Sequence, residues 1–373
     1  MKRNFLKYLP LAAVVLLLAA CGQDQQRGIF ATIEETRAID LDNAMPDRAK
    51  ILSFSEIGSS HLLAAIGNQL MFRRTGLSQD WQEAPLPSGN DYALHAAVFG
   101  SGDSHVGGVF SSGSTRRFRY AEASEVTSSS SSGIWKTPGS FAGSPYAVFA
   151  AGNGLLLATE TDSGKRVYHV GTDGSTAQLA VDDTASLARL VQVQLIDDDL
   201  YILTTSALYT ADVAGGIDVA TFTKNDDLSS SGTKGFTDLL VDGDDIYITT
   251  RAGFVLSSDD GTTWNTTNTY QRNDNDVPLL SIEKVSPASG DPTILVGTKG
   301  HGFAVLEGGQ LVSPDSSAYT HRNFGGSELR TSTIQLLFQP APQDGTTVVF
   351  GGSGGRGLWR GDLSGNEFTW GRE

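Results

Sequence analysis

From Lys50 onward the chain alternates short apolar runs with clusters of glycine, serine, threonine and aspartate, and most runs also alternate apolar and polar residue by residue. A two-residue period predicts half-buried β-strands. No long stretch beyond residue 20 carries the spacing of an amphipathic helix. The runs recur in a fixed order. First strands are read as ILSFS from Ile51, LHAAVF from Leu94, YAVFA from Tyr146, LVQVQLI from Leu190, FTDLLV from Phe236, LLSIEKV from Leu279 and STIQLLF from Ser332. Second, small-residue-rich strands start at His61, Val106, Leu155, Leu200, Ile246, Thr293 and Thr347. Third strands begin near Gln69, Arg117, Arg166, Ala207, Gly253, Gly302 and Gly357. Trp81, Trp135, Trp264 and Trp370 mark fourth strands, and of the five tryptophans only Trp359 falls elsewhere.

A four-stranded unit repeated at this period predicts an all-β chain folded as a β-propeller, a ring that hides its sheet edges by closing. The count gives about seven blades, with six or eight as alternatives, in one domain spanning residues 28–373. Gly28 to Asp40, with Ile29, Ala31 and Ile33 in alternation, is expected to complete a blade at the other end of the chain. The alternative is an unpaired leader. Ser124 to Gly133 is a serine-rich insertion, expected to be a loose surface loop.

The first twenty residues differ from everything after them. Lys2, Arg3 and Lys7 precede an apolar run from Leu9 to Ala20 that is too short to span a bilayer, so residues 1–20 read as a removable export signal. Leu18-Ala19-Ala20-Cys21 resembles the lipobox of bacterial lipoproteins, which implies cleavage before Cys21 and acylation of its thiol. Residues 21–27 then form a polar tether. Gly22 in place of an aspartate favours the periplasmic side of an outer membrane. Cys21 is the one cysteine, so no intrachain disulfide can form.

Composition narrows the partners. The net charge is −15, and loss of the signal leaves 24 basic residues against 42 acidic. Nucleic acid is therefore not expected as a partner.

Ser257-Ser258-Asp259-Asp260-Gly261-Thr262-Thr263-Trp264 matches Ser-x-Asp-x-Gly-x-Thr-Trp. It resembles the Asp box, a structural hairpin between third and fourth strands in sialidase-like and other propellers. The resemblance implies structural roles for Ser257, Asp259, Gly261, Thr263 and Trp264: an aspartate capping turn amides, a glycine permitting the turn, a tryptophan packing between blades. ITTRAGFVLSSDDGTTW from Ile248 and ILVGTKGHGFAVLEGG from Ile294 look like repeats of photosystem II stability factor propellers and their bacterial relatives. That likeness implies a non-enzymatic assembly or docking role.

Candidate chemistry is sparse. A sialidase-like site would need an arginine trio, a Tyr and Glu pair and an acid, and no recognisable context supplies them. Six scattered histidines show no paired ligand spacing, although His95 and His105 could meet across one blade. Asp197 to Asp199 and Asp242 to Asp245 are acidic turns that could hold calcium but need no metal. Gly351 to Gly357 reads as a turn between strands, and neither metal nor cofactor is expected. Overlaying charge on the repeat leaves one pattern: Arg116, Arg117, Lys165, Arg166, Arg251, Lys299, His301 and Arg356 cluster at the turns between second and third strands in five units. A basic face on an acidic body follows, suited to an acidic protein surface or an anionic glycan. The expected function is a lipid-anchored envelope protein that binds or scaffolds, the alternative being a glycan-binding or carbohydrate-active, sialidase-like propeller.

Overall fold

A computed structural model describes residues 45–373, apart from 47–48, 129, 182–186, 230–234, 289 and 326. The export signal, Cys21, the tether and the Gly28–Asp40 segment lie outside the described residues. Among the described residues the chain forms one two-stranded hairpin, Gln271–Arg272 with Asn275–Asp276, and seven mainly antiparallel blade sheets. Their first strands are Ser53–Ile57, Tyr92–Phe99, Ser144–Ala151, Leu190–Ile196, Phe236–Asp242, Leu279–Val285 and Ile334–Phe338. Each first strand packs beside the next, and the last packs beside the first, so the sheets close into a seven-bladed β-propeller. Most blades have four consecutive strands. Blade two keeps three, its fourth reduced to a bridge between Tyr120 and Lys136. Blades four and seven gain a short parallel outer strand, Ala180–Val181 and Thr320–Arg322.

Small residues in the second strands have a steric cause. A Cβ on Gly297 would collide with the backbone carbonyl of Ile334 in the next blade. Blades approach most closely near the axis, where only short side chains leave room. Larger side chains fill the wedges between sheets. Leu203 and Leu208 of blade four, for example, share a core with Leu239, Ile248 and Leu256 of blade five.

The first strands carry a second regularity. In blades two to seven the pairing of first with second strand slips by one residue near its start, at Leu94, Tyr146, Val191, Thr237, Leu280 and Gln335. A bulge at this place turns the next side chain and frees backbone groups for cross-blade bonds. Gln335 Nε2 donates to the Ile51 carbonyl. The Leu190 amide donates to Tyr146 Oη at 2.9 Å. Gln194 takes both the carbonyl of Leu239 and the amide of Val241.

Blade seven uses its own fourth strand, Glu367–Arg372, and closes against blade one through a buried polar clasp. Arg73 is 0% exposed. Its guanidinium pairs with Glu373 at 2.5 Å, donates to Gln343 at 2.8 Å, and lies over the rings of Trp81 and Phe350. Arg360 holds the other Glu373 oxygen at 3.2 Å. The described residues of the serine-rich insertion beyond Val126 are exposed or half-buried, as on a surface loop. The insertion opens with a helical turn, Ala123–Val126, because Ala123 and Val126 find a place in the core between blades one and two.

Candidate functional site

The turns between second and third strands share one face with the segments that enter each first strand. Backbone bonds tie the two sets together: Arg251 N to Gly235 O, Lys299 N to Pro278 O, Gly302 N to Ser332 O and Gly357 N to Ala49 O. Arg116, Arg117, Lys165, Arg166, Arg251, Lys299, His301 and Arg356 therefore lie on one face. They are not equivalent. Arg117 is tied to the buried Asp91 at 2.8 Å, Lys165 to Glu160 at 3.2 Å, and Arg356 donates to Thr331 Oγ1 at 2.7 Å. Arg166 reaches Gln178 at 3.4 Å. Arg116, Arg251 and Lys299 are exposed and form no ion pair with a described residue. Burial and the charge of Arg272 pull the His301 imidazole below its usual value.

Sequence reasoning missed Arg189, Arg272 and Arg330, which reach the same face from the segments entering first strands. Arg189 stacks over Tyr146 and Arg272 over Tyr270, with cation-to-ring distances of 5.1 and 5.4 Å. Acids occur here too, Asp162, Asp274 and Asp315 among them. The opposite face is more acidic. Among the described residues its turns carry Asp103, Asp197, Asp198, Asp244, Asp259 and Asp291, with other acids, and no lysine or arginine, while Arg74, Lys136 and Lys284 stand at strand ends beside them.

Ser257–Trp264 is a hairpin between third and fourth strands on that acidic face. The capping carboxylate is Asp260, not Asp259. Asp260 Oδ1 accepts the amides of Thr262 and Thr263, both at 2.7 Å, and Ser258 Oγ accepts that of Gly261 at 2.9 Å. The Thr262 hydroxyl, donating to Asp260 Oδ2 at 2.6 Å, and then the Thr263 and Thr262 amides hold the Asp260 carboxyl well below the usual range. Gly261 has φ of 70°, a conformation that favours glycine. Trp264 packs, half-buried, on the core shared by blades four and five. Ser257 pairs with Tyr247 and Asn265 in the sheet, and Thr263 contributes its amide. Asp259 points instead between two surface grooves.

His95 and His105 do not meet. His95 pairs with Val109 and His105 with Phe99, four residues along the same ladder. The acidic turns are the links between first and second strands of blades four and five, where Asp242 holds Lys284 Nζ at 2.5 Å.

At the axis, residues from all seven first strands line a channel of about 390 Å³. Asp238 joins three blades there. It accepts Gln192 Nε2 of blade four and the Ile282 amide of blade six, both at 3.0 Å, and its neighbour's amide at 2.9 Å. Desolvation nevertheless pushes it up to about 6. Glu283, beside it, is pushed up to about 8 by desolvation and then by the Asp238 charge. Both keep some surface toward the channel, so water there tempers these shifts. Among the described residues that line the channel there is no arginine or tyrosine.

No family model matches the chain, and no curated protein matches it. Solved structures do. YCF48 bound to D1 peptide superposes with a TM-score of 0.55 at 14% identity, covering 85% of this chain and 93% of that one. YCF48 from Cyanidioschyzon merolae gives 0.50 at 14%, covering 79% and 88%. Virginiamycin B lyase from Staphylococcus aureus gives 0.56 at 11%, covering 83% and 94%. At such identities the likeness is one of architecture, and it agrees with the seven-bladed ring built from the strands above.

Proposed function

We propose that the protein is a lipid-anchored, non-enzymatic binding or scaffold protein of the bacterial cell envelope, and that it docks a partner protein through the basic face. The observation that carries this reading is the segregation of charge. Five blades present bases on one face, while among the described residues the turns of the other face are rich in aspartate and hold no lysine or arginine, its few bases standing at strand ends. An acidic partner segment gains from the first face and is repelled by the second, which fixes orientation as well as affinity. A structural neighbour captured with a peptide supports a protein-binding role for this architecture. The anchor rests on Leu18-Ala19-Ala20-Cys21, and Gly22 points to the periplasmic side of the outer membrane.

The test is affinity capture of the tagged, membrane-anchored protein beside a variant carrying Arg251→Glu and Arg356→Glu. The expected result is a stoichiometric envelope protein that the variant loses. Retention of the same partner would overturn the assignment of the face. Capture of no protein, with retention on arrays of anionic glycans, would favour the carbohydrate reading. Cys21→Ser should release the protein from the membrane fraction.

A further inference from the structure

Among the bases of the docking face, Arg272 is held in a way of its own. It is half-buried and forms no ion pair with a described residue. Its Nε donates to Tyr270 Oη at 3.1 Å and its Nη2 to Ser313 Oγ at 2.9 Å, with the cation 5.4 Å from the Tyr270 ring. Both acceptors are themselves fixed, because Tyr270 is buried and Ser313 caps the 3-10 turn Pro314–Ser316. Neutral groups therefore hold the side edge of the guanidinium. Its end edge, Nη1 with the second Nη2 proton, meets no acceptor among the described residues. A guanidinium drawn partly out of water without a counter-charge attracts an anion.

More positive charge gathers at this place, the seam between blades six and seven. The 3-10 helix Glu328–Thr331 leads into blade seven. Arg330 within it reaches Asp315, two residues beyond Ser313, at 3.5 Å, and Arg356 donates to Thr331 Oγ1 at 2.7 Å. The fields of Arg272 and Arg330 both reach the Tyr270 hydroxyl, and that of Arg272 reaches His301. Lys299, two residues before His301, is exposed. Bases elsewhere on the face are placed differently. Arg117 is taken by Asp91 and Lys165 by Glu160, while Arg116 is exposed on blade two. Arg272 combines a fixed fork with a half-buried, uncompensated charge.

We infer that Arg272 is the anchor of the docking face, binding one side-chain carboxylate of an acidic peptide segment through its free end edge, while Lys299, Arg330 and Arg356 attract the neighbouring acids of that segment. The inference rests on the basic face being the docking face. A carboxylate matches the paired donors of one guanidinium edge and brings a single charge. Asp315 and Glu328 stand among these bases and disfavour a phosphate dianion more than a carboxylate. Because the fork is already held, little side-chain freedom is lost on binding.

The probe is acetylated, amidated hexaglutamate carrying a fluorophore, with hexaglutamine as its neutral control, and the readout is anisotropy with the purified full-length protein. Hexaglutamate should bind and hexaglutamine should not. Arg272→Gln should weaken binding about tenfold, the size of one lost hydrogen-bonded charge pair. Arg272→Lys keeps the charge but not the fork, and should weaken binding about fivefold. Arg116→Gln on blade two should change it less than about twofold. No hexaglutamate binding, wild-type affinity in Arg272→Lys, or equal losses in Arg272→Gln and Arg116→Gln would overturn the anchor. Displacement of the peptide by inorganic phosphate at lower concentration than by acetate would also overturn it. Docking through the face survives any of these results if capture of the envelope partner still depends on Arg251 and Arg356. A partner kept by Arg251→Glu with Arg356→Glu but lost by Arg272→Gln would uphold the anchor and sink the wider face.

Discussion

Glu283 shows how a single position sets a pH dependence. Its folded-state value of about 8 stands above the ordinary 4.5 of a glutamate, so the folded protein holds this proton more tightly than the unfolded chain does. Stability from that source is complete below about pH 4.5 and is lost as pH rises through about 8. Asp238 acts in the same direction over a lower window, from 3.8 to about 6. Glu283→Gln should therefore flatten the decline of the thermal midpoint between pH 5 and pH 8. At pH 8 it should stabilise the protein by about 1–2 kcal/mol, since channel water screens part of the shift. An unchanged pH profile in the variant would contradict the placement of this side chain. Neither acid was conspicuous in the sequence. FTDLLV and LLSIEKV read as ordinary half-buried strands, and only the one-residue bulges turn their carboxyls toward the axis. The capping aspartate was misassigned by one position for a similar reason, because the motif fixes residue types whereas hydrogen-bond geometry selects Asp260.

The strands themselves were legible, because two-residue alternation and turn residues are local properties. The seven predicted first strands fall on the observed ones with shifts of a few residues. Alternate turns of an antiparallel sheet share an end, which is why the turns between second and third strands could be grouped from local pattern alone. Register was not legible, and the supposed meeting of His95 and His105 failed on it. Packing between blades can be tested on two glycines of second strands. Gly297→Ala drives a methyl into the Ile334 carbonyl and Ser281, and should cost about 1–3 kcal/mol. Gly351→Ala meets only side-chain carbons of Ile334 and Leu337 at 3.7 to 3.9 Å, and should be tolerated. Equal urea midpoints for the two variants would mean that close blade approach is not what keeps these strands small.

Over the whole molecule, stability depends on keeping the ring closed. Blades one and seven meet through Arg73, Gln343, Arg360 and Glu373, all buried. Removing one member of a buried charge network leaves the others without compensation. Arg73→Ala should lower stability by about 3 kcal/mol, the low end for a broken buried pair, because Arg360 still reaches Glu373. Arg73→Met keeps volume over Trp81 but not the charge, so it separates packing from pairing. Urea midpoints should order wild type above Arg73→Met, with Arg73→Ala lowest, and an Arg73→Met midpoint above that of wild type would mean that the charge itself is unfavourable.

Closure also sets an order in time. Phe54, Leu62 and Trp81 of the first blade share their core with Val348, Phe350 and Leu358 of the last. Nearly the whole chain separates these partners, and loop-closure entropy must be met before they touch. Blades two to six can each condense on a sequence neighbour as the chain lengthens, but blade one must wait with an aromatic face uncovered. Ring closure is then the slow, final event of folding, and the first blade is where a chaperone would find its grip.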